Sequence, residues 1–231
     1  MPALLPWVIG LALVFDFLAG AHGAGNIVST MISSRALRPS AALALGAACE
    51  LIGPFLFGSA VARTVGSQIV TGEAITLQIL IAALGAAILW HGFTWYMALP
   101  SSSSHGLVGG MVGAALVASG PASLQWNGLG RVVLGLFLAP ALGFGLGYLL
   151  LQILYLLTAN ASPRVNDFFR HGQLYTVAAL GLSHGANDAQ KAMGVIVMAL
   201  VLSGRLPSFA MPLWVVALCA AVMALGTLLA G

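Results

Sequence analysis

Charge is what this sequence has least of. Lys and Arg number 8 and Asp and Glu 5 in 231 residues, so 6% of the chain is charged, against roughly 25% in a soluble domain. That scarcity excludes an ordinary water-facing surface. It excludes a nucleic-acid partner as well, because a net charge of +3 carried by a few loop arginines makes no basic stripe. Cysteine is almost absent too. Cys49 and Cys219 each sit inside an apolar run; they are too few for a metal centre or a disulfide framework and read as small core residues. No sustained alternation of polar and apolar residues is present, which argues against a closed barrel.

What the chain has instead is apolar length. Hydrophobic residues make up 60% of it and the mean hydropathy is +1.04. Apolar stretches recur that are long enough to cross about 30 Å of hydrocarbon. Backbone groups in lipid must be paired within the chain, so the spans are helices and the expected class is an all-α polytopic membrane protein. Segments fall near 3–32, 40–62, 75–98, 105–120, 130–157, 173–202 and 210–231. The opening run lacks the basic leader of a cleaved signal and reads as a first span. The segment at 105–120 is short for a crossing and is expected to re-enter. The first and sixth segments are long and glycine-interrupted, which predicts helices broken near the bilayer middle. Loop Lys and Arg split four to three between the two sides, so orientation stays open.

Polar groups inside such segments are costly and carry the functional signal. The densest cluster is Leu182–Gly194, "LSHGANDAQKAMG", with His184, Asn187, Asp188, Gln190 and Lys191. Asp188 and Lys191 are three apart and can pair on one helix face. Pairing alone needs fewer hydrogen-bonding groups than are present, so a polar cavity is expected. Asp16 is an isolated carboxylate that would cost about 3 kcal/mol facing lipid, and must face protein, water or a cation. Glu50 poses the same problem with a helix-to-helix hydrogen bond as an equal alternative, and His91 reads as structural. "LPSSSSHG" (Leu99–Gly106) looks like a helix start, with Ser101 to Ser104 and His105 at an end suited to an anion. His22 with Asn26, and Asn187 with Lys191, share an i, i+4 spacing on two distant segments. That correspondence predicts an internal repeat with a site between its halves.

On these residues the chain resembles the inorganic phosphate transporter family, the Pit-type symporters. "SHGANDAQKAMG" (Ser183–Gly194) resembles the second family signature, "LPSSSSHGLVGG" (Leu99–Gly110) the first repeat's serine turn, and Phe15–Pro39 the first signature with its loop. The resemblance implies an inverted-repeat transporter moving inorganic phosphate, free or as a metal–phosphate complex, through a cell membrane by Na+ or H+ symport, without a resident cofactor or enzymatic activity. A prokaryotic inner membrane and a homodimeric assembly fit it. Residues 1–157 would form the first repeat, 158–172 a polar connecting loop and 173–231 the start of a second. Asn26, Ser101, Ser102, Ser103, Ser104 and Asn187 would bind phosphate. Asp16 and Asp188 would hold the coupling cation, with His22, Thr30, His105, His184, Gln190 and Lys191 in support.

Two departures stand out. Gly23 occupies a place where the family usually carries Asp. No second Ser/Thr-Thr-His turn follows the second signature before Gly231, so the expectation is a C-terminally truncated sequence. Sulfate or another oxyanion is the alternative cargo, and a non-transporting membrane scaffold the alternative role. A serine hydrolase is excluded, because Ser104 and His105 are adjacent and no Gly-x-Ser-x-Gly elbow exists.

Overall fold

Eight α-helices account for most of residues 2–231, the part of the chain that the computed structural model describes. Local chemistry sets their starts. Helices α1 (Leu5–Ser33) and α2 (Pro39–Leu56) open with proline in the first turn, where its missing N–H has no partner to lose. Helix α3 (Ala60–Ser67) is short. The Thr76 hydroxyl accepts from the Ile79 amide at the start of α4 (Leu77–Tyr96), and the Ser102 hydroxyl accepts from the His105 amide at the start of α5 (Ser103–Ser119). Helices α6 (Trp126–Thr158), α7 (Val165–Leu202) and α8 (Leu213–Ala230) complete the chain. α1, α2, α4, α6 and α8 are long and apolar enough to cross a membrane, in keeping with the polytopic helical class.

Three expectations about the elements change, and one gains a partner. α1 and α7 run unbroken; their glycines serve close helix crossings rather than kinks. The apolar run at 40–62 is two helices, because α2 ends after Pro54 and Gly58 turns the chain into α3. The short segment at 105–120, expected to re-enter, is α5, outside the helices long enough to span, and it pairs with α4 as a helical hairpin turning at 97–102. Gly110 lets the two arms touch, since an added Cβ there would meet the Ala83 carbonyl at 2.5 Å. Ala98, at φ 53° in that turn, holds the left-handed region without being glycine. Finally, the loop expected at 158–172 is helical from Val165, with Asp167 complementing the positive end of α7.

The centre of the molecule is a four-helix crossing. α1 packs on α8 and α7 packs on α2. In the first crossing Gly20 lies against the Met223 carbonyl and Gly226 against the Phe17 carbonyl. In the second, Gly185 lies against the Glu50 carbonyl and Gly53 against the Leu182 carbonyl. Gly20 therefore stands in α1 where Gly185 stands in α7, and Gly53 in α2 matches Gly226 in α8. α1 and α7 run antiparallel, since Gly23 meets His184 while Ser34 Oγ donates to Gln173 Oε1 at 2.5 Å. This is an inverted repeat. By the same register Gly23 corresponds to Asp188, His22 to Asn187 and Asn26 to Lys191. α6 stands apart, and Gly128 is its one buried residue.

Candidate functional site

A cavity of about 440 Å³ lies where α1, α7 and the tip of the α4–α5 hairpin converge. The hairpin brings Ser101, Ser102, Ser103 and Ser104, α1 brings His22 and Asn26, and α7 brings His184, Asn187, Asp188 and Lys191. These are the groups the sequence marks as misplaced in lipid, and the fold gathers them on one wall.

Asp188 is the hub. Its Oδ1 accepts from Lys191 Nζ at 2.8 Å and from Asn187 Nδ2 at 2.8 Å. Its Oδ2 accepts from Ser103 Oγ at 2.5 Å, and Ser103 Oγ in turn accepts from Lys191 Nζ at 2.5 Å. Carboxylate, ammonium and hydroxyl close a buried triangle that ties the hairpin tip to α7. Charge-assisted bonds of this kind are the strong ones. Two of the three ammonium protons are used, so one N–H remains. The amides of Ser103 and Ser104 in the first turn of α5 find no acceptor among the described residues. Trp90 Nε1 donates to Ser101 Oγ at 2.9 Å and fixes the outer side of the turn.

A second buried pair backs the first. His184 Nδ1 lies 2.6 Å from Glu50 Oε1, and its Nε2 lies 3.8 Å from Asp188 Oδ2. Glu50 is 0% exposed and has no other partner. The His184 ring occupies the space directly over Gly23, where any Cβ would overlap its Cε1 and Nε2. The ring thus fills the position that the repeat assigns to the counterpart of Asp188. On the cavity wall His91 of α4 stacks edge-on with His22 (ring centroids 5.3 Å apart) and with Phe15 (5.6 Å).

Several assigned residues lie elsewhere. Asp16 is 0% exposed, has no hydrogen-bond partner on either oxygen, and is not on the cavity wall. Asp188 does line it, but both its oxygens are already paired. Gln190 Oε1 instead accepts from the amides of Val61 and Ala62, and its Nε2 donates to the Gly58 carbonyl, so it ties the start of α3 to α7. Thr30 is exposed and outside the cavity. His105 points to a separate, mostly apolar groove of about 820 Å³ along the outer face of the hairpin. For Gln190 and His105, each one position from a lining residue, the helical period turns the side chain away; Thr30 keeps the face of Asn26 but lies one turn beyond the cavity. The sequence reading left Glu50 and His91 out of the site. Their buried polarity in apolar helices is the signal that could have placed them there.

Helices long enough to span, an inverted repeat and a polar cavity between its halves define a multi-pass membrane protein of the inverted-repeat transporter architecture. It belongs to the phosphate transporter family (PHO4), whose sequence profile matches residues 19–231. A protein of Rhizobium meliloti (strain 1021) described as a probable low-affinity inorganic phosphate transporter is 43% identical over 99% of this chain and 69% of its own length. One of Mycobacterium tuberculosis (strain ATCC 25618 / H37Rv) with the same description is 41% identical over 99% of this chain. The chain spans 55% of that relative and 46% of the low-affinity inorganic phosphate transporter PitA of Escherichia coli (strain K12), to which it is 28% identical over 86% of its length. A solved structure described as the sodium-dependent phosphate transporter shares the fold, with a TM-score of 0.83 at 20% identity, covering 99% of this chain and 76% of the other.

Proposed function

We propose that the chain carries inorganic phosphate across a bacterial inner membrane by cation-coupled transport, with α1–α6 as one repeat and α7–α8 within the other. The observation that carries this is the cavity wall itself. It offers the Ser104 hydroxyl, the free amides of Ser103 and Ser104 at a helix N-terminus, the Asn26 and Asn187 side chains and the spare Lys191 N–H. A tetrahedral oxyanion needs several donors and a positive helix end together.

The cation has a different place from the anion. With its charge offset by Lys191, Asp188 holds the serine turn in position. Asp16 keeps a bare carboxylate inside protein, and such a group must take up a cation or a proton. The name of the sodium-dependent structural neighbour favours Na+, and the His184–Glu50 pair offers a proton path.

The test is uptake of ³²P-phosphate by the purified chain in proteoliposomes, under a Na+ gradient and, separately, a pH gradient, with and without Mg²⁺, and with sulfate and arsenate as competitors. One gradient drives accumulation, arsenate competes better than sulfate, and Asp16→Asn uncouples uptake from the gradient. Wild-type liposomes that accumulate no phosphate under either gradient would refute the reading.

A further inference from the structure

Three residues of the cavity face two ways. Ser104, Asn187 and Lys191 also line a second, half-open cavity of about 330 Å³, bordered by α3, α5, α7 and the outlying α6. They form the wall the two spaces share. The far side of the second cavity is apolar, with Val61, Leu107 and Val132, apart from Thr64 of α3 and the exposed Arg131 of α6. Arg131 has no carboxylate partner: among the described residues the ion pairs are confined to His184, Glu50, Asp188 and Lys191. Lys191 is offset by Asp188 at 2.8 Å, so Arg131 leaves this space with a net positive charge. Opposite it stand a hydroxyl, an amide and an ammonium. A guanidinium with its fork free matches the edge of a tetrahedral oxyanion, and a lysine there would not reproduce that geometry.

We propose that the second cavity is a second oxyanion subsite in series with the first, in which Arg131 holds inorganic phosphate on the other side of the Ser104–Asn187–Lys191 wall. This rests on the phosphate reading above and adds a second station to it. An arginine that only anchored α6 at the lipid headgroups would extend along the apolar surface, and its removal would leave phosphate binding untouched.

Equilibrium dialysis of ³²P-phosphate against the full 231-residue chain in detergent separates these. The wild type binds two phosphates, the second about tenfold more weakly because a single fork replaces the many donors of the first. Arg131→Gln keeps the first phosphate with unchanged Kd and loses the second. Arg131→Lys keeps the charge without the fork and weakens the second by about tenfold. Gly135 borders the same cavity and an added Cβ there meets nothing. Gly135→Leu therefore fills the space with Arg131 intact, again removing only the second phosphate, and it decides the question should Arg131→Gln fail to fold. A wild type that saturates at one phosphate, or variants with the wild-type two-site isotherm, overturns the second subsite and leaves the first standing. A wild type that binds no phosphate removes both.

Discussion

Replacing Gly23 with alanine adds one methyl group, and the structure says where it goes. The new Cβ overlaps Cε1 and Nε2 of His184. α1 is fixed there by its backbone contact with α8, so the imidazole must rotate away. Rotation breaks the 2.6 Å contact with Glu50, whose carboxylate is wholly buried and has no second donor. Breaking a buried pair of this kind costs about 3–5 kcal/mol. Alanine returns about 1 kcal/mol over glycine through helix propensity, so the net loss is about 2–4 kcal/mol. Gly25 is the control, two positions on and open, where an added Cβ meets nothing; Gly25→Ala gains up to about 1 kcal/mol. The assay is reversible unfolding in mixed micelles, read by near-ultraviolet circular dichroism. His184→Ala empties the space and already leaves Glu50 unpaired, so in that background Gly23→Ala costs nothing further and gains up to about 1 kcal/mol through helix propensity. Gly23→Ala as stable as Gly25→Ala, or costs that simply add in the double variant, would refute the assignment of the imidazole to the Gly23 hollow.

The remaining predictions use the same unfolding assay alongside phosphate binding. Lys191→Met strands Asp188 beside the cavity and costs about 3–5 kcal/mol, whereas Asp188→Leu with Lys191→Met recovers most of the stability and still binds no phosphate. Gln190→Leu unpairs two amides of α3 and the Gly58 carbonyl, costing about 2–4 kcal/mol at about 1 or more per group, while phosphate affinity stays unchanged because Gln190 is off the cavity wall. Thr227→Val removes the 2.9 Å bond to the Gly20 carbonyl and costs about 1 kcal/mol. Ala98→Val forces a β-branched side chain into the left-handed region and costs about 1–2 kcal/mol, a penalty absent from Ala98→Gly.

The membrane class and the meeting of several polar groups in one cavity were legible in the sequence because both rest on burial energetics. Charges absent from the surface meant lipid, and polar groups left in apolar runs meant a shared cavity; Asn26, the serine run, Asn187 and Asp188 do meet. The i, i+4 match of His22 and Asn26 with Asn187 and Lys191 is also the register in which the two repeats superpose. The glycines of α1 and α7 were misread as breaks. In a sequence glycine looks the same whether it breaks a helix or admits another backbone, and only the partners of Gly20 and Gly185 distinguish the two. Gln190 was misplaced for a related reason: one step along a helix turns a side chain by 100°, from the cavity to the start of α3. The engagement of Asp188 by Ser103 was beyond reach, since 85 residues separate them and only the hairpin's return brings them together.

The paired glycine crossings have a mechanical consequence. α1 on α8 and α7 on α2 touch backbone to backbone, leaving no compressible side chain between them, so this block behaves as a stiff chassis. Among the described residues the hydrogen bonds from the hairpin tip to it all run through Ser103, beside the edge-on contacts of His91 with His22 and Phe15, and its turn is already bent into a costly shape at Ala98. In such an arrangement the hydroxyl of Ser103 is the catch between jaw and chassis.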